Sequence, residues 1–315
     1  MKKMKIYSLM ILLALLLAAC NPNEKNEDHR LFEREQVDIT FTVTSGANLD
    51  EGTGRYVGGS IQTVTQTFKT NPRYVAIFSY DALDILDTVG IENTSISRIG
   101  IPKSNLPQYL NQYQHQDVEN VGTLFIPNLD ILDLFMPDLI ILGSRTTGAY
   151  DELKAQYPHA DILDMSIIDM TYEQGLIRNA MNLAKIFPTA EELIEQQLNG
   201  LIDQIERIKE NTAKNALFIM VNGESLSYYG PVGRFSMLYN VFGFLPADQT
   251  EDEGGNHGRV VGYEYVAQIN PDVLFLLDRG VATGGSSSTQ QVMQNALIAN
   301  TEAAKNNQMI VLDPI

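Results

Sequence analysis

MPDLIILGSR at 136–145 returns as NPDVLFLLDR at 270–279. Each copy opens on Pro-Asp, runs through an apolar stretch of strand length, and places an arginine eight residues after the proline: Arg145 in one, Arg279 in the other. Unbroken apolar runs of this kind fit strands buried on both faces of a parallel sheet. A short amphipathic helical segment precedes each, LDILDLF at 129–135 and YEYVAQI at 263–269. A helix–strand unit repeated this far along the chain predicts two α/β lobes. In open α/β sheets ligands gather beyond the carboxyl ends of the strands, where both arginines fall. Facing lobes then aim two guanidinium groups into one cleft.

Working outward, short apolar runs alternate with helix-period segments through most of the chain, the mark of largely parallel sheets. Strands are expected at Tyr74–Ser79, Asp138–Leu142, Ala160–Leu163, Ala216–Val221, Asp272–Leu277 and Met309–Leu312. An alternating strand is expected at Asp38–Val43, and the Gly/Thr/Ser-rich stretch 45–60 reads as loop. From Tyr172 to about Thr212 the pattern is helical, broken at Pro188. Its second part puts Ile194, Leu198, Leu201, Ile205 and Ile208 on one stripe. The first part has no strand partner nearby, and at 1.5 Å per residue it spans roughly 24 Å. The expected fold is two Rossmann-like α/β lobes bridged by a single long helix, with a plain crossover helix within one domain as the alternative. The first lobe takes 37–171, the bridge 172–187 and the second lobe 188–315.

The N-terminus decides the compartment. Lys2, Lys3 and Lys5 precede a short apolar core from Ile6 to Leu17, and Leu17-Ala18-Ala19-Cys20 closes it. The run is too short for a stop-transfer helix and reads as an export signal over 1–19. Cys20 is the only cysteine, so no disulfide supports the fold. It sits where a lipobox carries its lipidated residue, and paired acyl chains anchor stably. The polar residues that follow, 20–36, read as a tether. The formal net charge of −17 becomes more negative once the signal lysines leave. A chain so acidic lacks the basic face that nucleic-acid binding needs, and it makes any local set of arginines more informative.

No phosphate-binding loop, nucleophile elbow or dinucleotide fingerprint is present, which leaves no enzyme chemistry to assign. The four histidines, His29, His115, His159 and His257, are scattered and none pairs at metal-ligand spacing. His257 lies in the glycine-flanked segment 253–259, where backbone can approach a ligand closely.

From Asn71 to Pro314 the chain resembles the catecholate-siderophore-binding lipoproteins of bacterial iron importers, the enterobactin/petrobactin/anguibactin group. The segments that carry the resemblance are NPRYVAIFSYDALDILDTVG (71–90), PKSNLPQYL (102–110), NVGTL (120–124), MPDLIILGSR, YYGPVGRFSMLYNVFGF (228–244), NHGRVVGYEYV (256–266), NPDVLFLLDR and QNALIANTEAAKNNQMIVLDP (294–314). The resemblance implies an importer's substrate-binding component with no intrinsic cofactor. Its transported ligand would be a ferric catecholate siderophore, and its partners an ABC permease and the membrane through the lipid anchor. It implies a monomer outside the cytoplasm. The family's ligand arginines map onto Arg145, Arg234 and Arg279, and its iron-coordinating histidine onto His257. Arg55 and Arg207 fall outside this set. An acidic permease contact maps onto Glu264, while the matching position beside Pro127 is Ile126. After the Leu-Asp-Pro the family continues through an aromatic run with a coordinating tyrosine and a final helix. Here Leu312-Asp313-Pro314 is followed by Ile315, so the second lobe is expected to stop short of that segment. Haem or a cobalamin is the alternative cargo for this architecture; a surface-anchored hydrolase or adhesin is the alternative from another class.

Overall fold

The computed structural model describes residues 34–312, apart from 105, 169, 251–257 and 280–287. It opens with two fifteen-residue strands, β1 (Gln36–Asp50) and β2 (Arg55–Lys69), paired antiparallel along their whole length. Then follow β3 (Tyr74–Ile77), α1 (Tyr80–Val89), β4 (Arg98–Ile101), β5 (Glu119–Asn120), α2 (Leu129–Phe135), β6 (Leu139–Leu142), α3 (Tyr150–Gln156) and β7 (Asp161–Asp164). The last five strands of this set form a wholly parallel sheet in the order β5-β4-β3-β6-β7. Strand order reverses between β3 and β6, the switch point at which doubly wound sheets open a crevice.

Two helices come next, α4 (Tyr172–Ile186) and α5 (Glu191–Asn211). The second lobe holds β8 (Asn215–Asn222), β9 (Ser225–Tyr229), α6 (Met237–Asn240), β10 (Leu245–Pro246), β11 (Arg259–Val261), α7 (Tyr263–Ile269), β12 (Val273–Asp278), α8 (Thr289–Gln294) and β13 (Met309–Leu312). Its sheet runs β11-β9-β8-β12-β13, with β10 also beside β8. The β8, β12 and β13 strands are parallel, while β9 and β11 pair antiparallel, so this sheet is mixed.

The stretch 45–60, expected as loop, is strand on both sides of a tight turn. Its outer surface is almost wholly exposed, so it lacks the apolar alternation that announces a strand. Backbone pairing on both sides of the turn holds it instead, with Asn48 opposite Val57 and Leu49 opposite Tyr56. Gly46 and Gly59 both fall outside the paired register and both have positive φ, 78° and 86°. They form a bulge inside the hairpin, not a break in it. On its inner side β1 buries Ile39, Phe41 and Val43 in the first lobe's core. Polar bonds fasten the rest. Thr147 takes a hydrogen bond from the Thr44 N–H at 3.2 Å and donates to the buried Asp164. The Gly46 N–H and Ser45 Oγ both donate to Asp151, at 2.7 and 2.9 Å. Arg34 and Glu35, counted with the tether, are already bound to this lobe through Asp138 and Thr70.

The expected bridge, 172–187, falls on α4. A capping box between Thr171 and Gln174 starts α4, and the helix ends where expected, at Ile186 before Pro188. Its buried apolar residues Ala180, Leu183, Ala184 and Ile186 belong to the first lobe's core, and Tyr172, Leu176 and Ala180 also line a cavity with Met237 and Phe242 of the second lobe. Arg178 donates to the Ser166 carbonyl at 2.7 Å, and Asn182 to the Thr40 carbonyl at 3.2 Å. The next helix, α5, also has residues beside both lobes. Ile194 and Leu198 lie in the first core. Ile205 shares a cavity with Met237 and Phe242 of the second lobe, and Ile208 shares another with Phe218 and Phe275. Both helices are amphipathic, and the apolar stripe alone does not tell which neighbour it meets.

Candidate functional site

Arg145 stands three residues past the end of β6, on the switch point of the first sheet. Its guanidinium lies over the Phe125 ring at 5.3 Å. Tyr80, at the start of α1 and the end of β3, donates its hydroxyl toward the Pro102 and Ser104 carbonyls, each at 2.8 Å. Burial pushes the Tyr80 phenol up to about 12, and the positive charge of Arg145 acts against that rise. One end of the first sheet therefore presents a cation, an aromatic ring and a neutral phenol together.

Arg279 occupies the equivalent place in the second sheet, directly after β12. Asp278 beside it is buried and accepts hydrogen bonds from the Ser288 and Thr289 N–H groups at 2.6 and 3.1 Å. Arg234 follows β9 and lies 5.5 Å from the Phe235 ring. Phe235 stacks on Phe218 at 4.4 Å and meets Tyr229 edge-on at 4.8 Å. All three arginines are exposed. His257 and Cys20 lie outside the described residues. The residue after His257, Gly258, has φ 70°, and a Cβ there would come within 2.7 Å of the Tyr229 ring. The chain leaving the His257 segment thus presses against the end of β9, next to the loop that carries Arg234.

A cavity of about 430 Å³ lies where the lobes meet on α4 and α5, lined by Asp81, Asp84, Tyr172, Gln204, Met237 and Phe242 among others. Burial raises the Asp81 and Asp84 carboxyls above the usual range, and the charges of Asp81 and Asp87 add to the rise at Asp84. The expected arginines do not line this cavity. It is a largely apolar space beside these two helices.

The repeat seen in the sequence holds in structure down to its C-caps. Both α2 and α7 have seven residues and end on a left-handed residue, Met136 at φ 51° and Asn270 at φ 50°. The aspartates that follow do the same work. Asp138 accepts from the Tyr74 N–H at the start of β3 (3.1 Å), and Asp272 from the Asn215 N–H at the start of β8 (3.1 Å). Glu264 is exposed in the first turn of α7, and the matching residue of α2 is Asp130, also exposed in the first turn. Asp130, and not the position beside Pro127, is the structural counterpart of Glu264. Superposing LDILDLF on YEYVAQI would have found it. Ile126 instead faces Gly54 in the hairpin turn.

Comparison with known proteins decides the family. The periplasmic binding protein family matches residues 75–315. The chain belongs to that family. It is a binding protein and not an enzyme, and the family acts outside the cytoplasm. The petrobactin-binding protein YclQ of Bacillus subtilis is 30% identical over 99% of this chain and 92% of its own. The crystal structure of YclQ superposes with a TM-score of 0.70, covering 89% of this chain and 90% of that one. The ferric-anguibactin-binding protein FatB of Vibrio anguillarum is 28% identical over 79% of this chain and 77% of its own. The catecholate-siderophore-binding protein VctP of Vibrio cholerae superposes with a TM-score of 0.70 at 27% identity, covering 89% and 92% of the two chains. The two-lobed architecture with a connecting helix is shared with these proteins.

Proposed function

We propose that this protein captures anionic ferric catecholate siderophores and hands them to the permease of an ABC importer. The observation that carries this reading is the matched placement of Arg145 and Arg279, one past the equivalent strand of each lobe. Relatives named for petrobactin and ferric anguibactin support the same class of cargo. A ferric tris-catecholate bears three negative charges. Arg145, Arg234 and Arg279 supply three cations whose planar donors also stack on aromatic rings. Each charge pair at ~6 Å with an effective dielectric of ~20 contributes roughly 3 kcal/mol before desolvation. His257 would complete the coordination of a bis-catecholate, which leaves iron positions open, and would matter little to a tris-catecholate. Cys20 carries the lipid anchor, and the protein works as a monomer. The change of lobe is assigned to Tyr172–Ile186 and Glu191–Asn211, with Asp130 and Glu264 as paired permease contacts.

Titration by tyrosine-fluorescence quenching with a synthetic iron(III) tris-catecholate tests this. Arg145→Ala, Arg234→Ala and Arg279→Ala should each weaken binding roughly tenfold or more, about 1.4 kcal/mol, while Arg207→Ala leaves it unchanged. Equal affinity across the four variants rejects the arginine set.

A further inference from the structure

The hairpin of β1 and β2 ends at the binding site. Its turn, 51–54, brings Gly54 against Ile126, where an added Cβ would lie 3.2 Å from the isoleucine Cδ1. The next residue, Arg55, holds its guanidinium 4.8 Å from the centre of the Phe125 ring. That is the ring already shared by Arg145 at 5.3 Å. Two guanidinium groups therefore share one half-buried aromatic ring at the carboxyl end of the first sheet.

The charges around this pair are telling. Among the described residues neither arginine has a carboxylate within ion-pair distance. Asp50 is the cross-strand partner of Arg55, yet it turns its carboxylate into the hairpin turn and accepts from the Gly52 N–H at 2.9 Å. In a chain with 39 acidic and 22 basic side chains, two like charges left on one ring form a site short of an anion. Simple fastening of the turn would need only one of them, since a guanidinium over a ring already contributes cation–π attraction.

We propose that the hairpin tip is a working part of the ligand site, with Arg55 and Arg145 gripping an anionic aromatic ring of the chelate beside Phe125. This rests on the ferric-catecholate reading and extends it: the site holds four cations, and the fourth comes from an element outside both sheets. Catecholate rings are flat and carry charge at their edge. A guanidinium plane meets both features, stacking on the ring and donating to its oxygens. Arg55 then adds to discrimination in favour of the more highly charged chelates.

The test uses the full exported chain, an iron(III) tris-catecholate and a salt series. Arg55→Lys, Arg55→Ala, Arg55→Glu and Phe125→Leu are compared with wild type, with thermal midpoints recorded for each. Affinity should fall in the order Arg, Lys, Ala, Glu, by roughly tenfold at Arg55→Ala. The decline of affinity with salt should be shallower in Arg55→Ala than in wild type, because one screened attraction is gone. Phe125→Leu should lose affinity with its charges intact. A fastening role alone gives a different result: lower affinity with an unchanged salt slope, tracking a lowered thermal midpoint. That result, or unchanged affinity in the Arg55 variants, overturns the proposal while leaving the functional reading in place. A wild type that binds no tris-catecholate overturns both.

Discussion

At the scale of the residue, Asp248 joins Thr250 and Arg259, described residues on either side of 251–257. Its side chain is 3% exposed and accepts from the Thr250 N–H at 2.9 Å, Thr250 Oγ1 at 2.7 Å, Arg259 Nη2 at 2.8 Å and the Tyr265 hydroxyl. Burial alone would raise its carboxyl. The hydrogen bonds from Tyr265, Thr250 and Arg259 outweigh burial and hold it down at about 2. A depressed carboxyl stabilises the fold above its unfolded value near 3.9. That contribution is lost as pH falls toward about 2. Arg259 is more than a third exposed, so water screens part of the effect, leaving about 1–2 kcal/mol. Asp248→Asn should therefore lower the urea midpoint at pH 7, and the gap to wild type should close between pH 4 and pH 2. A gap that stays constant across that range rules the carboxylate out as its source. Residues of this kind are hard to read in sequence. Arg145 and Arg279 were legible because a repeat marks them, whereas Arg55 and Phe125 meet across seventy positions with no local signal.

At the scale of the element, the parallel strands β3, β6, β7, β8 and β12 were legible because burial writes itself as an unbroken apolar run, whereas the short β4 and β5 and the antiparallel β9 and β11 were not. Nor was the hairpin. Its outer strand is exposed at most positions, and its glycines imitate a loop. Their geometry argues for a built feature. A Cβ on Gly59 would stand 2.9 Å from the Ser45 carbonyl and 2.9 Å from Thr44 Cγ2, at a positive φ. Gly58 also has positive φ, but nothing lies within 4 Å of its Cβ position. Gly59→Ala should cost about 2–3 kcal/mol, from backbone strain plus collision, and Gly58→Ala about 1 kcal/mol from strain alone. Urea unfolding paired with limited proteolysis of the hairpin measures both. Equal costs at the two positions would show that the collision does not occur. Tyr172–Ile186 and Glu191–Asn211 are both amphipathic and both line the cavity shared with Met237 and Phe242, so the sequence pattern alone does not tell which of them bridges.

At the scale of the whole molecule, the repeat gives the protein two kinds of paired surface at the same end. In a βαβ unit the helix runs back against its strands, so helix N-termini lie at the carboxyl ends of the sheet. Asp130 and Glu264 sit in the first turns of α2 and α7, and Arg145 and Arg279 follow the next strand of each unit. Each lobe therefore carries an acidic residue on its rim and an arginine at the cleft. The acids lie near the positive end of their helix dipoles, which stabilises the negative charge without neutralising it for a partner. This separation predicts separable losses. Asp130→Arg and Glu264→Arg should each leave tris-catecholate affinity within about twofold of wild type, since screening beyond ~10 Å removes most of their influence on the cleft. Each should nonetheless abolish uptake of radiolabelled iron chelate by cells expressing the importer, if the proposed permease contacts on both lobes are used. The arginine variants should fail in the opposite order, losing affinity first and uptake only at low ligand concentration. If Asp130→Arg transports normally while Glu264→Arg does not, the first lobe docks elsewhere, and the structural equivalence of the two helices carries no functional one.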